Sequence, residues 1–392
     1  MSSHELILPW PAAGDRLKHF SEAPCGKITG VTKYGTCYTV HNQDHGASEK
    51  GTVVGDWSFR FACLVESLKN TGFQVVTYDM LGRGYSPTAA NRQAASLPKK
   101  FGDDVTFLPP LPLNMQQVQL PGSRWSMRWH IAEFNEVLYQ SIGSQPVGTP
   151  VHVVGHSMGG CVATYFAALA ASSSAVQISS CVLMAPAGAM TPGPLGCGSC
   201  GFSCLQCCCG SLCGCCFVPI VGKITNGKYK AKGFISDGVA GGVGGLGGTD
   251  PNNLPVNVDK GNKLVQWDVQ WIQASRNVNG NRATVASAAR MPLMNVQKAC
   301  EKDPAINLQT VKEYNLPVLI LQGADDLVVK TIRKEMYVEM FGRNNVTFET
   351  RPGGHNFFIQ DNDNVAARLD AFFTSVCKGT TGSPAIVAEF CR

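Results

Sequence analysis

The chain has 392 residues, 44% of them hydrophobic and only 16% charged, with a formal net charge of +5. That length and apolar content suffice for a large α/β core carrying an insertion. The mild, scattered positive charge comes with no nucleic-acid-binding signature, which excludes nucleic acid as an expected partner. The first 20 residues carry Glu5, Asp15, Arg16 and Lys18 and no apolar signal-peptide core. The 17 cysteines are therefore expected as reduced thiols, metal ligands or acylation sites of a cytoplasmic protein rather than as a disulfide framework.

In chain order, residues 28–31 and 36–40 read as a β-hairpin around Tyr34-Gly35. Residues 59–69 have helical apolar spacing, stopped by Gly72, and 73–78 form a strand ending at Asp79. A glycine-rich loop, Gly82-Arg83-Gly84-Tyr85-Ser86, leads into a surface excursion over 87–123 and then a helix over 125–140. The apolar run 151–154 enters Gly155-His156-Ser157-Met158-Gly159, and an apolar helical stretch over 161–168 follows. That is a strand, a sharp turn and a helix. A further strand is expected over 180–185, irregular chain over 187–250, and helices over 263–275 and 281–290. Alternation then resumes with a strand over 317–322, a helix near 330–341, a strand over 346–350 and a helix over 364–377. The pattern predicts an α/β protein with a mainly parallel sheet, interrupted by roughly 120 residues of insertion.

Five segments result: an extension (1–24), a first core part (25–190), a cap or lid (191–310) containing a Cys-rich stretch (197–216), a second core part (311–378) and a tail (379–392).

A turn serine flanked by glycines at the start of a helix is placed for nucleophilic attack, provided that a base takes its proton and an acid orients the base. Of eight histidines only His355 follows Ser157, in Gly353-Gly354-His355 after a strand. Asp325 and Asp326 both stand at the end of the 319–322 run, and their chemistry alone leaves either as the acid.

The order Ser157, Asp325 or Asp326, His355 resembles the α/β-hydrolase superfamily. Four segments carry the resemblance: residues 79–86, the Gly155-His156-Ser157-Met158-Gly159-Gly160 elbow, residues 323–329, and Gly354-His355. It implies the α/β-hydrolase fold, with helices on both faces of the sheet and an inserted lid. The family's G-x-x-D spacing, counted from Gly323, favours Asp326 and leaves Asp325 as the alternate. The elbow resembles those of esterases, monoglyceride lipases and lysophospholipases. A serine at 157 argues against epoxide hydrolases and haloalkane dehalogenases, which use aspartate there.

The resemblance also implies two oxyanion donors, the N–H of Met158 and one from a His-Gly loop before the helix at 59. That region reads Lys50-Gly51-Thr52-Val53-Val54-Gly55-Asp56-Trp57, without His-Gly, and its strand is expected to stop after two valines. Three arrangements compete: Gly55 or Asp56 donates from a shortened strand, the strand is re-registered to end at His45-Gly46, or several residues are missing from the sequence. Losing one donor typically costs about 10²–10³ in turnover, so weak catalysis is one expectation.

Nine cysteines fall between Cys197 and Cys216. The C-x-x-C pairs Cys197/Cys200 and Cys204/Cys207 are spaced poorly for zinc, and no metal is expected. Cys207, Cys208, Cys209, Cys213, Cys215 and Cys216 precede an apolar run and then Lys223, Lys228, Lys230 and Lys232. They read as S-acylation candidates in a two-signal peripheral membrane anchor. A lid with apolar thiols facing the site mouth is the competing reading.

The expected function is a serine hydrolase of a carboxylic ester with an acyl or lipid-like group, needing no cofactor. The alternatives are a catalytically silent binding protein tethered to membrane by acylated cysteines, or a peptidase or thioesterase on the same scaffold.

Overall fold

The computed structural model describes residues 29–32, 36–42, 50–56, 61–80, 126–143, 148–173, 177–190, 287, 290–324, 326, 329 and 332–380. Within them lie the strands β1 (Gly30–Val31), β2 (Cys37–His41), β3 (Thr52–Asp56), β4 (Gln74–Asp79), β5 (Val151–His156), β6 (Ser180–Met184), β7 (Val318–Gly323) and β8 (Val346–Arg351). The helices are α1 (Ala62–Asn70), α2 (Met127–Ile142), α3 (Met158–Ser172), α4 (Val296–Glu301), α5 (Leu308–Glu313), α6 (Lys334–Phe341), α7 (Phe357–Gln360) and α8 (Asn362–Thr380).

The strands form one sheet in the order β1-β2-β4-β3-β5-β6-β7-β8. β1 and β2 pair antiparallel, as do β2 and β4; every pair from β4 through β8 is parallel. Strands β4, β5, β6 and β7 are buried at every residue, as parallel strands covered on both faces must be.

Side chains alternate between two apolar layers. Val54, Val76, Val153, Leu183 and Ile320 pack with α2, α3 and the Tyr337–Phe341 side of α6. Val53, Val75, Val154, Val182, Leu319 and Leu321 pack with Leu64, Leu68, Phe358, Leu369 and Phe373 of α1, α7 and α8.

β3 runs on through Gly55 to Asp56 instead of stopping after Val53-Val54, because it is paired with β5 through Gly55 and with β4 through Asp56. The sequence reading also passes over α4 and α5, which fall in the stretch assigned to the lid and pack on α3. Each starts at an asparagine cap: Asn295 Oδ1 accepts from Lys298 N at 2.9 Å, and Asn307 Oδ1 accepts from Gln309 N at 3.0 Å and Thr310 N at 3.3 Å. The helix expected over 263–275 and the Cys-rich stretch 197–216 lie outside the described residues. Among the described residues no helix is long and apolar enough to cross a membrane.

Candidate active site

In a parallel sheet the carboxyl ends of the strands share one edge, where ligands bind. The end of β5 presents Ser157, the turn after β7 presents Asp326, and the turn after β8 presents His355.

Ser157 has φ 53° and ψ −119°, a left-handed conformation that side chains rarely adopt. Its N–H donates to the Met184 carbonyl at 3.0 Å, and its carbonyl accepts from Gly160 N at 3.0 Å and Ala187 N at 2.8 Å. The end of β6 thus pins the elbow from both sides of the serine. A Cβ at Gly155 would strike the Gly159 carbonyl and come within 2.7 Å of the Ala163 Cβ, and one at Gly160 would lie 2.7 Å from the Pro186 Cβ. Both glycines are needed for this close turn. Strain held in place by its surroundings is common at reactive sites.

His355 and Asp326 are buried and meet through Nδ1 and Oδ2 at 2.9 Å. A carboxylate accepts, so neutral His355 carries its proton on Nδ1 and leaves Nε2 as the basic nitrogen. The other Asp326 oxygen, Oδ1, accepts from Val329 N at 2.8 Å. Oδ2 also accepts from Gln322 Nε2 at 3.0 Å. The histidine turn reaches Asp326 because Gly323 has no side chain: a Cβ there would strike the Gly354 carbonyl and lie 2.7 Å from the Gly353 oxygen.

His355 is also joined to the elbow. His156, immediately before Ser157, donates from Nε2 to the His355 carbonyl at 3.0 Å. The two imidazole centroids are 4.7 Å apart, and His156 meets the Phe358 ring edge-on at 4.9 Å. Ser157, Asp326 and His355 are therefore brought to one strand edge. Asp325 lies outside the described residues.

Met158 is the first residue of α3, so its N–H lies outside the helix's own i to i−4 ladder and beside the serine. Gly55 sits within β3, paired with Thr77 and Val154, one residue before the strand ends. It lines an apolar cavity with Phe61, Leu64, Val75 and Leu369. His45-Gly46 and residues 57–60 lie outside the described residues, as do Cys207, Cys208, Cys209, Cys213, Cys215 and Cys216.

Among the described residues no group of three or more His, Cys, Asp or Glu is arranged to hold a metal ion. Burial pushes the Cys161, Cys181 and Cys300 thiols up, which keeps them protonated.

Sequence reasoning missed Gln322 and His156. Each had a signal: His156 adjoins Ser157, and Gln322 is the polar residue that ends the apolar run of β7.

Residues 45–196 match a family model described as alpha/beta hydrolase fold. The structure is similar to an esterase from Exiguobacterium antarcticum, with TM-score 0.51 and 16% identity over 88% of this chain and 98% of that one. It is similar to a carboxylesterase structure from Nitrososphaera gargenis, with TM-score 0.51 and 12% identity over 90% of this chain and 99% of that one. A third likeness is to MGS-M2, an alpha/beta hydrolase enzyme from a Medee basin deep-sea metagenome library, with TM-score 0.50 and 11% identity over 86% and 94%. No curated protein matches the sequence.

Proposed function

We propose that this chain, which has the fold of the α/β-hydrolase superfamily, is a serine hydrolase that cleaves a carboxylic ester through an acyl-enzyme. The observation that carries the reading is the buried His355–Asp326 pair at 2.9 Å, tied through His156 to a serine at φ 53°. The esterase likenesses agree with it at the level of fold.

Ser157 Oγ attacks the ester carbonyl while His355 Nε2 takes its proton. Asp326 fixes the tautomer of the neutral imidazole and stabilises the imidazolium that forms. The N–H of Met158 donates to the developing oxyanion, with a second donor from the β3 end, where Gly55 lies. The C–O bond breaks, His355 returns the proton to the departing alcohol, and water repeats the sequence on the acyl-serine to release the acid. No cofactor enters these steps. An apolar acyl or lipid-like substrate suits the sparsely charged chain.

A fluorophosphonate probe should label the full chain at Ser157, and Ser157→Ala should abolish labelling. Folded protein that stays unlabelled would sink the reading.

A further inference from the structure

We infer that Gln322 is a positioning residue of the acid–base pair, holding the Asp326 carboxylate in the orientation that meets His355. The inference rests on the reading of Asp326 and His355 as acid and base.

Gln322 is buried near the end of β7. Its Nε2 donates twice, to Asp326 Oδ2 at 3.0 Å and to the Val329 carbonyl at 2.7 Å. Both partners are acceptors, so only the nitrogen can face them; a flipped amide would set its oxygen against a carboxylate and a carbonyl. Oδ2 is also the oxygen that takes the His355 Nδ1–H, whereas Oδ1 takes Val329 N. Each carboxylate oxygen is therefore held, and the amide spans the turn from Asp326 to Val329.

The arrangement has a cost that packing alone would not impose. Gln322 Oε1 is buried with no hydrogen-bond partner among the described residues. The preceding β7 residues, Val318, Leu319, Ile320 and Leu321, are all apolar and fully buried. An apolar residue at 322 would remove that unmet acceptor, but it would take the amide's hydrogens away from the Val329 carbonyl and from Asp326. What only the amide supplies is the two N–H donors. Without them Oδ2 loses one of the donors that fix it, and the imidazole that Asp326 orients is held less closely. Positioning errors of about 1 Å can cost 10²-fold in rate.

The test uses the full chain and a short p-nitrophenyl ester. Wild type must turn over and be labelled at Ser157; if it is not, the serine-hydrolase reading itself has failed. Given turnover, Gln322→Met keeps the volume and removes both donors. It should lower kcat by about 10- to 100-fold, leave KM within about 3-fold, and shift or broaden the low-field proton resonance of His355 Nδ1–H. Gln322→Glu keeps the size but sets a second carboxylate against Asp326, and should lower kcat at least as far. A folded variant of either kind with wild-type kcat and an unchanged low-field resonance would overturn the inference. So would loss of folding in both, which would make Gln322 a purely structural residue.

Discussion

The Nε2–H of His156 donates to the main-chain carbonyl of His355 at 3.0 Å, joining the residue before the proposed nucleophile to the residue proposed as its base. The contact spans 199 positions in the sequence and crosses from the end of β5 to the turn after β8. It fixes the His156 tautomer, because a carbonyl can only accept. The bond ties the elbow to the histidine turn.

His156→Phe should keep the edge-on packing against Phe358 while removing the donor. A buried carbonyl left unmet costs about 1–3 kcal/mol. We expect a lower thermal midpoint, and kcat reduced by about 10-fold or more with KM little changed, since the imidazole loses part of its aim. Steady-state ester hydrolysis beside a melting curve checks both. Unchanged kcat would mean that the histidine turn is held adequately without the tie.

Backbone strain at Ser157 gives a comparison between two inactive variants. A non-glycine residue at φ 53° carries strain of order 1–3 kcal/mol. Ser157→Ala keeps that strain, whereas Ser157→Gly relieves it. Both should lose turnover, but the glycine variant should be the more stable by about 1 kcal/mol, after its larger chain entropy in the unfolded state is deducted. Urea unfolding measures the difference. Equal stabilities would show that the conformation is relaxed.

Gly323→Ala should damage the site without touching any of its side chains. The added Cβ would collide with the Gly354 carbonyl and lie 2.7 Å from that of Gly353. Both obstacles are backbone, so the histidine turn must shift away from Asp326. A loss of about 10²-fold or more in kcat/KM is expected, together with destabilisation. Gly55→Ala is the control: its Cβ would lie 3.5 Å from the Phe61 ring, an ordinary contact beside the apolar cavity. That change should stabilise the strand by about 0.5–1 kcal/mol.

These contrasts show which parts of the molecule the sequence made legible. β6 and β7 announce themselves as apolar runs over 181–184 and 318–321, and β4 and β5 through the pairs Val75-Val76 and Val153-Val154, as strands buried on both faces tend to do. Ser157 is readable from its glycines, which mark a turn that a Cβ at Gly155 would block. The extent of β3 is not readable in this way. Gly55 and Asp56 lack strand character, and only pairing with β4 and β5 carries the strand through them. Gln322 and His156 escape for a different reason. Their roles lie in contacts to Val329 and to the His355 carbonyl that side-chain identity does not encode. α4 and α5 are short, and their asparagine caps are the one local cue.

Two buried histidines make stability depend on mildly acidic pH. His41 and His152 are both lowered to about 4, chiefly by burial, from a usual value of 6.5. For His41 the nearby Lys69 adds to the effect. His152 sits between aromatic rings, stacked on Phe373 at 4.4 Å and edge-on to Phe73 at 6.0 Å, with Nδ1 2.8 Å from the Ser180 hydroxyl. Between about pH 6.5 and pH 4 the unfolded chain binds these protons and the folded chain does not, so unfolding takes up protons and stability falls as pH falls. The stability is fully present above about pH 6.5, is lost progressively down to about pH 4, and has no further dependence on these groups below that. Each histidine accounts for on the order of 2–4 kcal/mol across the window. His152→Phe preserves the ring stack and removes one of the two sites. Urea unfolding from about pH 7 to about pH 4.5 should then show a slope smaller by up to one proton than in wild type. An unchanged slope would mean that His152 takes up its proton without leaving the folded core.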